Sequence, residues 1–402
     1  MTGTDAVGVR RPIVLIGILS SLTAVAPFAI DMNVPGFPEL GRELGAKSSV
    51  VQLSMSVFLF GLVVGQLVIG PISDRLGRRR LLIPGTALFA VLSAVCALVP
   101  SMPLLLAGRF LQGCAGAAGT VLARAILTDR FAGPRLPFYF SIQSMILGVA
   151  PVLGPMLGGL IVTAGGWRAV FWVLAVLGVA LCTVVLLQVP ESLPPERRAT
   201  TGIASTFTTM GSLLRGRPFA GYVLTLAFAA GAMFMYIGSS TFVFQDTFGL
   251  SAAQYGLVFA SNAGVMLIAN IAFGITSRRV PTPRLLAGYI GIAVLGALAL
   301  AIQATTAPTL AGTWICLAVV LFGIGGTFPS VSTIAQTIGR SRAGAAAALS
   351  GTGSYLFGAL TSPLGGGTVG TMSVLMLAAL VLAAVALLFA RPWRPIVERT
   401  LA

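Results

Sequence analysis

Two ionisable residues, Asp31 and Arg109, stand alone inside long apolar segments of the sequence. A charge at membrane depth costs at least ~2.5–3.5 kcal/mol, so such residues usually serve a function. A carboxylate can bind and release a proton, and a guanidinium near it can bias that equilibrium. We therefore predict that Asp31 and Arg109 couple protons to the work of the protein. The structural alternative is that Asp31 caps a helix end and Arg109 binds helix carbonyls.

The composition excludes several kinds of catalytic and metal site. The 402 residues include no histidine, which excludes a Ser-His-Asp triad and a His-ligated metal. The one lysine, Lys47, does not stand in a P-loop. The four cysteines are widely spaced within apolar segments, as is typical of small buried side chains. We expect no metal site, no cofactor and no enzyme activity.

The elements that must hold these residues are membrane-spanning helices. The chain is 56% hydrophobic and 9% charged, with a mean hydropathy of +0.98, whereas a soluble domain carries about 25% charged residues. A spanning helix needs roughly 20 apolar residues. Twelve such runs are predicted, at 13–35, 50–72, 81–99, 103–127, 138–162, 168–189, 219–241, 252–276, 285–305, 309–335, 343–363 and 370–390.

The distribution of basic residues predicts the orientation of the chain. The net charge is +15, and most Arg residues lie in alternate gaps between the runs and in both tails. This pattern favours membrane orientation over nucleic-acid binding, and it places both termini in the cytoplasm. The first run could pass for a signal peptide, but Asp31 and Pro35 fit no cleavage site, so we expect it to be retained.

The longest gap divides the chain into two halves. We predict a six-helix bundle over 1–189, a cytoplasmic linker over 190–217 and a second bundle over 218–402. The pattern Gly-x-x-Ser at Gly70–Ser73 recurs at 274–277. A duplicated six-helix unit is one architecture of secondary transporters, although chance similarity of glycines and serines would give the same pattern.

One segment carries a resemblance to a known family. Residues 70–80 read Gly-Pro-Ile-Ser-Asp-Arg-Leu-Gly-Arg-Arg-Arg, which resembles the signature G-x-x-x-D-R-x-G-R-R of the major facilitator superfamily. The resemblance implies an all-α polytopic membrane protein with twelve transmembrane helices in two pseudo-symmetric six-helix bundles. An ordinary basic loop is the alternative.

The same resemblance implies a cytoplasmic gate, with a static surface salt bridge as the alternative. In the second half Arg278 stands where Asp74 stands in the first, so that half is expected to lack the pairing. The implied gate residues are Gly70, Asp74, Arg75, Gly77, Arg78 and Asp129.

Two further motifs narrow the match. Arg109-x-x-Gln112-Gly113 resembles the family's span-4 motif, and the segment 154–159 resembles its span-5 antiporter motif, which in the family marks exporters more than importers. A proline there would kink the helix, and glycines one turn apart would permit close packing. With segments 31–36, 123–130 and 236–240, the chain resembles the bicyclomycin/chloramphenicol-resistance branch of drug:proton antiporters. The span-5 motif residues are Gly154, Pro155, Gly158 and Gly159.

The branch resemblance implies a function. We expect proton-coupled efflux, by alternating access, of drugs such as chloramphenicol, bicyclomycin or other small amphipathic compounds, driven by the proton gradient. The expected partners are a small-molecule substrate, protons and the lipid of a bacterial cytoplasmic (inner) membrane. Nucleic acid is not expected, and the chain should be a monomer. A proton-coupled importer, a metabolite exporter and, more remotely, a non-transporting membrane sensor or enzyme are the alternatives.

Polar and aromatic residues inside the spans are candidates for lining a substrate cavity. A drug-sized site needs mostly apolar walls with a few polar groups. Each of these residues could instead serve a contact between helices. The candidates are Asn33, Gln52, Gln112, Tyr139, Gln143, Phe234, Tyr236, Asn262 and Tyr355.

Overall fold

The computed structural model describes residues 12–131, 136–198, 211–338 and 343–390, and these are almost entirely helical. Because lipid offers no partner to backbone N–H and C=O groups, long helices are the form that such apolar runs take. In chain order the helices are α1 (Pro12–Asp31), α2 (Phe37–Glu43), α3 (Ser48–Leu76), α4 (Arg78–Leu98), α5 (Met102–Arg130), α6 (Leu136–Gln188), α7 (Arg217–Phe242), α8 (Ala252–Thr276), α9 (Thr282–Thr306), α10 (Leu310–Ile338), α11 (Ala343–Thr361) and α12 (Val369–Ala390).

Ten helices in the described part of the chain are long and apolar enough to cross a membrane. One of them, Phe138–Gln188, contains two of the predicted runs, and α11 coincides with the run predicted at 343–363. The described residues therefore account for all twelve predicted runs. The predicted all-α polytopic fold is confirmed.

A break at Gly166 divides α6 into two spans. The backbone angles there are φ 73° and ψ 178°, a conformation that favours glycine. Beside the break, the indole Nε1 of Trp167 donates to Glu43 Oε2 at 2.7 Å, and Arg168 forms an ion pair with the same carboxylate. These contacts fix α2 against the turn, which lies where the gap between the fifth and sixth runs was predicted.

Large apolar side chains cover the outer faces of the helices. Leu98 and Val176 are each 68% exposed, and Leu187 is 78% exposed. Forty-six large hydrophobic side chains are exposed in the described residues, which is unusual for a soluble monomer and favours a nonpolar solvent. The described helices therefore present their apolar faces to lipid, as a multi-pass membrane protein requires.

The chain forms two compact units. The first contains Met1–Lys47, Leu53–Ile203 and Ser251–Leu257, and the second contains Ser48–Gln52, Ala204–Leu250 and Val258–Ala402. The sequence predicts a cytoplasmic linker over 190–217. Residues 199–210 of that linker, and both tails, lie outside the described residues.

Reciprocal glycines bring α3 and α5 into backbone contact within the first unit. A Cβ added to Gly113 on α5 would lie 2.2 Å from the carbonyl oxygen of Phe58 on α3, and one added to Gly61 would lie 2.2 Å from the carbonyl oxygen of Phe110. Neither position has room for a side chain, and small residues are what allow membrane helices to approach this closely. The contact places Phe58 beside the part of α5 that carries Arg109.

Candidate functional site

Arg109 is fully buried in the first unit, between two aromatic rings. The carbon atom of its guanidinium lies 4.3 Å from the ring centroid of Phe58 and 5.6 Å from that of Phe171. Both distances are within the range of cation–π attraction. Its Nη1 donates to Gln112 Oε1 at 2.8 Å, and Gln112 Nε2 donates to Ser93 Oγ at 2.7 Å. The sequence motif thus places Gln112 as the side chain that orients Arg109.

The Arg109 guanidinium is not neutralised by a carboxylate in the described part of the chain. Its Nε and Nη2 atoms are buried and make no hydrogen bond there. An isolated buried cation is expensive to keep in a membrane protein, and aromatic faces offset only part of that cost. Arg109 therefore retains two unused donors at membrane depth.

Asp31 is the last residue of α1 and is 4% exposed. Its carboxylate makes no hydrogen bond or ion pair within the described residues. A Cβ added to Gly154 would lie 2.8 Å from the Asp31 Cβ, and one added to Gly158 would lie 2.2 Å from the carbonyl oxygen of Met32. The glycines of the span-5 motif therefore let the end of α1 pack directly on α6.

The structure does not bring Asp31 and Arg109 into direct contact. Across the described residues, each is buried without an ion-pair partner, and no salt bridge joins them.

The remaining span-5 motif residues also lie on α6. Gly159, the last residue of the motif, approaches the carbonyl oxygen of Ala252, which would lie 2.4 Å from an added Cβ. Pro155 lies inside α6 in the same motif.

The signature between α3 and α4 forms a compact ionic cluster around Arg78. Arg78 Nε donates to Asp129 Oδ2 at 3.0 Å, and its Nη1 donates to both Asp74 Oδ1 and Ser73 Oγ. Ser73 Oγ in turn donates to the carbonyl oxygen of Gly70 at 2.6 Å. The structure therefore joins the end of α3, the start of α4 and the end of α5 through one guanidinium.

The two remaining signature residues behave differently. Gly77 links α3 to α4 with φ 104° and ψ 153°, which favours glycine. Arg75 is exposed, and no hydrogen bond or ion pair is found for it in the described chain. In the second unit, Ser277 Oγ donates to the carbonyl oxygen of Gly274 at 3.4 Å, as its counterpart does in the first. No ion pair involves Arg278 in the part of that unit that the structure describes.

Residues that the sequence motifs do not mark complete the Arg78 cluster. Glu191, just after α6, accepts the backbone N–H groups of Arg78 at 2.9 Å and of Arg79 at 3.2 Å. Ser192 Oγ donates to Asp129 Oδ2 at 2.9 Å. The available signal was an acidic residue directly after an apolar run, but nothing in the sequence shows which helix it would meet.

The candidate cavity residues of the first unit are buried or half-buried, and two of them contact neighbours within that unit. Gln143 Nε2 donates to Thr23 Oγ1 at 2.9 Å, and the Tyr139 ring lies 4.4 Å from that of Phe131. Asn33 is fully buried, and neither its Nδ2 nor its Oδ1 is paired in the described chain. Asn33 thus resembles Asp31, two positions earlier, in keeping polar atoms unused.

The second unit brings several of the other candidates together. Tyr236 stacks on Phe259, with centroids 5.2 Å apart and planes at 24°, and its hydroxyl accepts from Asn262 Nδ2 at 3.1 Å. The rings of Phe234 and Tyr355 lie 6.2 Å apart. The second unit thus holds two aromatic pairs, one of which is hydrogen-bonded to an amide.

Gln52 also belongs to the second unit, although it lies on α3. Its Nε2 donates to the carbonyl oxygen of Gly366 at 2.5 Å and to Ser239 Oγ at 3.4 Å. Within the described residues, no group of three or more metal-ligating side chains is found.

Comparison with known proteins gives one family match and several similar chains. Residues 19–363 match the model described as Major Facilitator Superfamily. An uncharacterised MFS-type transporter of Bacillus subtilis (strain 168), YdgK, is 37% identical over 359 residues, covering 89% of each chain. A bicyclomycin resistance protein homolog of Haemophilus influenzae is 29% identical over 309 residues, covering 77% of this chain and 73% of the relative.

A solved structure shares the fold at low sequence identity. It is a bacterial homolog of the human lysosomal transporter Spinster in an inward-facing, unoccupied conformation. The TM-score is 0.76 at 18% identity, and the match covers 94% of this chain and 96% of the other.

Proposed function

This chain belongs to the Major Facilitator Superfamily, and from that membership we propose that it exports small amphipathic compounds in exchange for protons. It is a multi-pass membrane transporter and not an enzyme. The name of the Haemophilus relative supports a drug as the cargo, because it refers to bicyclomycin resistance. We extend that class to antibiotics such as bicyclomycin and chloramphenicol.

The burial of Asp31 without a partner is the observation that carries the proton-coupling part of the proposal. Asp31 is 4% exposed and makes no ion pair in the described chain. No cationic side chain there compensates the charge of its ionised carboxylate. Such a group is stable with a bound proton, or with a cationic or donor-bearing ligand in place of that proton. Asp31 is therefore the proton carrier in this proposal.

Exchange follows from competition for Asp31. A substrate that binds better when Asp31 is ionised lowers the affinity of the site for the proton by the same factor that the proton lowers the affinity for substrate. Proton entry from one side of the membrane then releases substrate on that side. In an alternating-access cycle the site opens to each side of the membrane in turn. Because protons and substrate compete at each opening, the proton gradient drives export.

Arg109 supplies a fixed positive charge in the same unit. Its orientation is set by Phe58 and Gln112, and its Nε and Nη2 donors are unpaired in the described chain. Charges inside a protein act over longer distances than in water, because the effective dielectric constant is lower. In the proposal Arg109 biases the protonation of Asp31 without touching it, and its unused donors bind polar groups of substrate or backbone during the cycle.

The Arg78 cluster is the proposed cytoplasmic gate. It joins three helix ends of the first unit through the ion pairs of Arg78 with Asp74 and Asp129. The Asp74 side chain is 46% exposed, whereas those of Arg78 and Asp129 are 10% and 16% exposed. In the proposal, water reaches these charges when the helix ends separate and the ion pairs break. The proposal places this cluster and both termini on the cytoplasmic side of a bacterial inner membrane, and it takes the functional protein as a monomer.

A drug-resistance panel in an efflux-deficient bacterial host tests the proposal. We expect the wild-type protein to raise tolerance to at least one amphipathic antibiotic, and Asp31→Asn to abolish active efflux of that compound. Asp246→Asn is the matched control, because it makes the same substitution at an exposed position. Uphill efflux by Asp31→Asn at the wild-type rate, with equal membrane abundance, would remove Asp31 from the mechanism.

The direction of transport separates export from import. In inverted membrane vesicles with an imposed inside-acid pH gradient, an exporter accumulates the drug in the lumen as protons leave. Accumulation that requires the opposite gradient would support the importer alternative.

A further inference from the structure

The first turn of α4 receives its cap from a residue more than a hundred positions away in sequence. The N-cap residue of α4 is Gly77, which has no side chain to bind the free N–H groups of the first turn. Glu191 Oε1 accepts the N–H of Arg78 and its Oε2 accepts that of Arg79. A carboxylate at this position also interacts favourably with the helix dipole.

The same carboxylate organises the segment that carries it. Glu191 Oε1 accepts the N–H groups of Ser192 and Leu193, each at 3.0 Å. Arg130 Nη2 donates to the Glu191 carbonyl oxygen, and Arg79 Nη2 donates to that of Leu186 at 2.7 Å. The end of α6 is thus held to α4 and α5 by contacts on both sides of the carboxylate.

We propose that Glu191 is a positioning residue of the cytoplasmic gate, which sets the place of Arg78 between Asp74 and Asp129. The backbone of Arg78 is fixed by Glu191, while its side chain forms the two ion pairs. We call Glu191 with its four backbone donors the Glu191 clasp. The role of the clasp in a gate rests on the proposed transport function, whereas its contacts are a local feature of the fold.

The clasp accounts for a second requirement at Gly77. An added Cβ would lie 2.6 Å from Glu191 Oε2. Gly77 is therefore needed for its positive φ and for the space that the carboxylate occupies. Gly77 therefore leaves the space that Glu191 needs. The two are far apart in sequence, since Glu191 lies 113 positions after Arg78, the residue that follows Gly77.

The charge of Glu191 is maintained by its donors. Partial burial opposes its ionisation, but the N–H groups of Leu193, Arg78, Arg79 and Ser192 outweigh this effect and lower the pKa of the carboxyl. The guanidinium groups of Arg79 and Arg130 donate to backbone carbonyls of this segment. Asp129 is the acidic neighbour, and it accepts from Ser192 and from the Arg78 guanidinium. Glu191 is therefore ionised throughout the physiological pH range.

Hydrogen exchange measures the clasp without any need for transport. The purified full-length protein in lipid nanodiscs would be compared as wild type, Glu191→Ala, Glu191→Gln and the control Glu196→Gln. Glu196 lies five positions further on, is exposed, and makes no hydrogen bond or ion pair in the described chain. We expect the amides of residues 78–79 to exchange about five- to tenfold faster in Glu191→Ala, less in Glu191→Gln and at the wild-type rate in Glu196→Gln. Equal exchange in all four proteins would overturn the clasp.

A double-variant cycle on transport tests whether the clasp acts through the gate. We expect Glu191→Ala to lower the turnover of drug:proton exchange in proteoliposomes about tenfold, with KM changed by less than about twofold. In an Asp129→Asn background the same substitution should lower turnover by less than about twofold, because the contact through which it acts is already lost. Full multiplication of the two effects would overturn the gate role and leave only a structural one.

The two proposals fail in different ways. If wild type moves no compound, the export proposal fails, while the exchange rates still decide whether Glu191 positions α4. If Glu191→Ala lowers membrane abundance, Glu191→Gln is used for the cycle, since its amide oxygen still accepts one N–H. Additive effects of Glu191→Gln and Asp129→Asn would then contradict the proposal.

Discussion

Two glycines three positions apart on α5 should respond to alanine in opposite ways. At Gly113 the added Cβ would lie 2.2 Å from the carbonyl oxygen of Phe58 and 3.1 Å from the amide nitrogen of Leu62. Both contacts are with backbone, which cannot rotate away, so α3 and α5 would have to separate by about 1 Å. Overpacking of this kind typically costs ~1–3 kcal/mol.

At Gly116 the same methyl group finds space. Its nearest neighbours would be the Phe89 ring atoms at 3.5 and 3.7 Å and a Leu62 methyl at 3.8 Å, which are ordinary van der Waals contacts. The position borders a small void that is also lined by Leu22 and Gly178. Alanine is favoured over glycine in a helix interior by ~0.5–1 kcal/mol. Gly116→Ala should therefore stabilise the protein, and the two variants should differ by roughly 1.5–4 kcal/mol.

Thermal unfolding of the purified variants in one detergent checks this pair. We expect the midpoint of Gly113→Ala to fall by roughly 2–12 °C and that of Gly116→Ala to rise by roughly 1–4 °C, taking the size scaling of a six-helix unit. Gly113→Ala should also reduce transport, because it moves Phe58 relative to Arg109. The reasoning about α3 and α5 would be refuted if Gly113→Ala were as stable as wild type, or if Gly116→Ala were equally damaging.

Three further outcomes are expected. Arg109→Lys keeps the charge but loses the planar group that contacts Phe58 and Gln112, so drug efflux should fall about tenfold or more at unchanged membrane abundance, as immunoblots and flux assays would show. Asp74→Asn removes a half-exposed ion pair, so the thermal midpoint should change little while flux falls; normal flux would argue against the gate. Because the clasp lowers the pKa of Glu191, its contribution to stability is complete above the ordinary carboxyl value of 4.5 and disappears as pH falls through the lowered one. The difference in thermal midpoint between wild type and Glu191→Gln should accordingly be constant from neutral pH to about pH 5 and shrink only in stronger acid, and a difference that vanished near pH 7 would contradict the clasp.

The spans were predictable because lipid imposes a single rule on a long segment. Runs of about 20 apolar residues must be helices, and this rule located α3, α4, α5 and the later helices. The break at Gly166 was also accessible, since the gap between two apolar runs falls there. A signature confined to a short stretch, such as residues 70–80, brings its own residues together because a single turn connects them.

Contacts between distant segments could not be predicted in the same way. Glu191 meets Arg78 only because the end of α6 packs beside α4, and no local pattern encodes that neighbour. Arg109 was identified by its charge, but its partners Phe58 and Phe171 are apolar residues that look like any others in a span. A charged residue within an apolar run can be recognised from the sequence. The residues around it depend on how the helices pack, which the sequence pattern does not show.

The proposed use of Asp31 as the proton carrier has an electrical consequence, because the charge of Arg109 stays fixed. With a proton on Asp31, the two residues together carry one positive charge, and without it they carry none. Exchange of one proton for one neutral molecule would then transfer a net charge across the bilayer, whereas exchange for a monovalent cation would transfer none. Since one charge crossing 100 mV is worth ~2.3 kcal/mol, the membrane voltage would assist the expulsion of neutral compounds and leave that of monovalent cations to the pH difference alone.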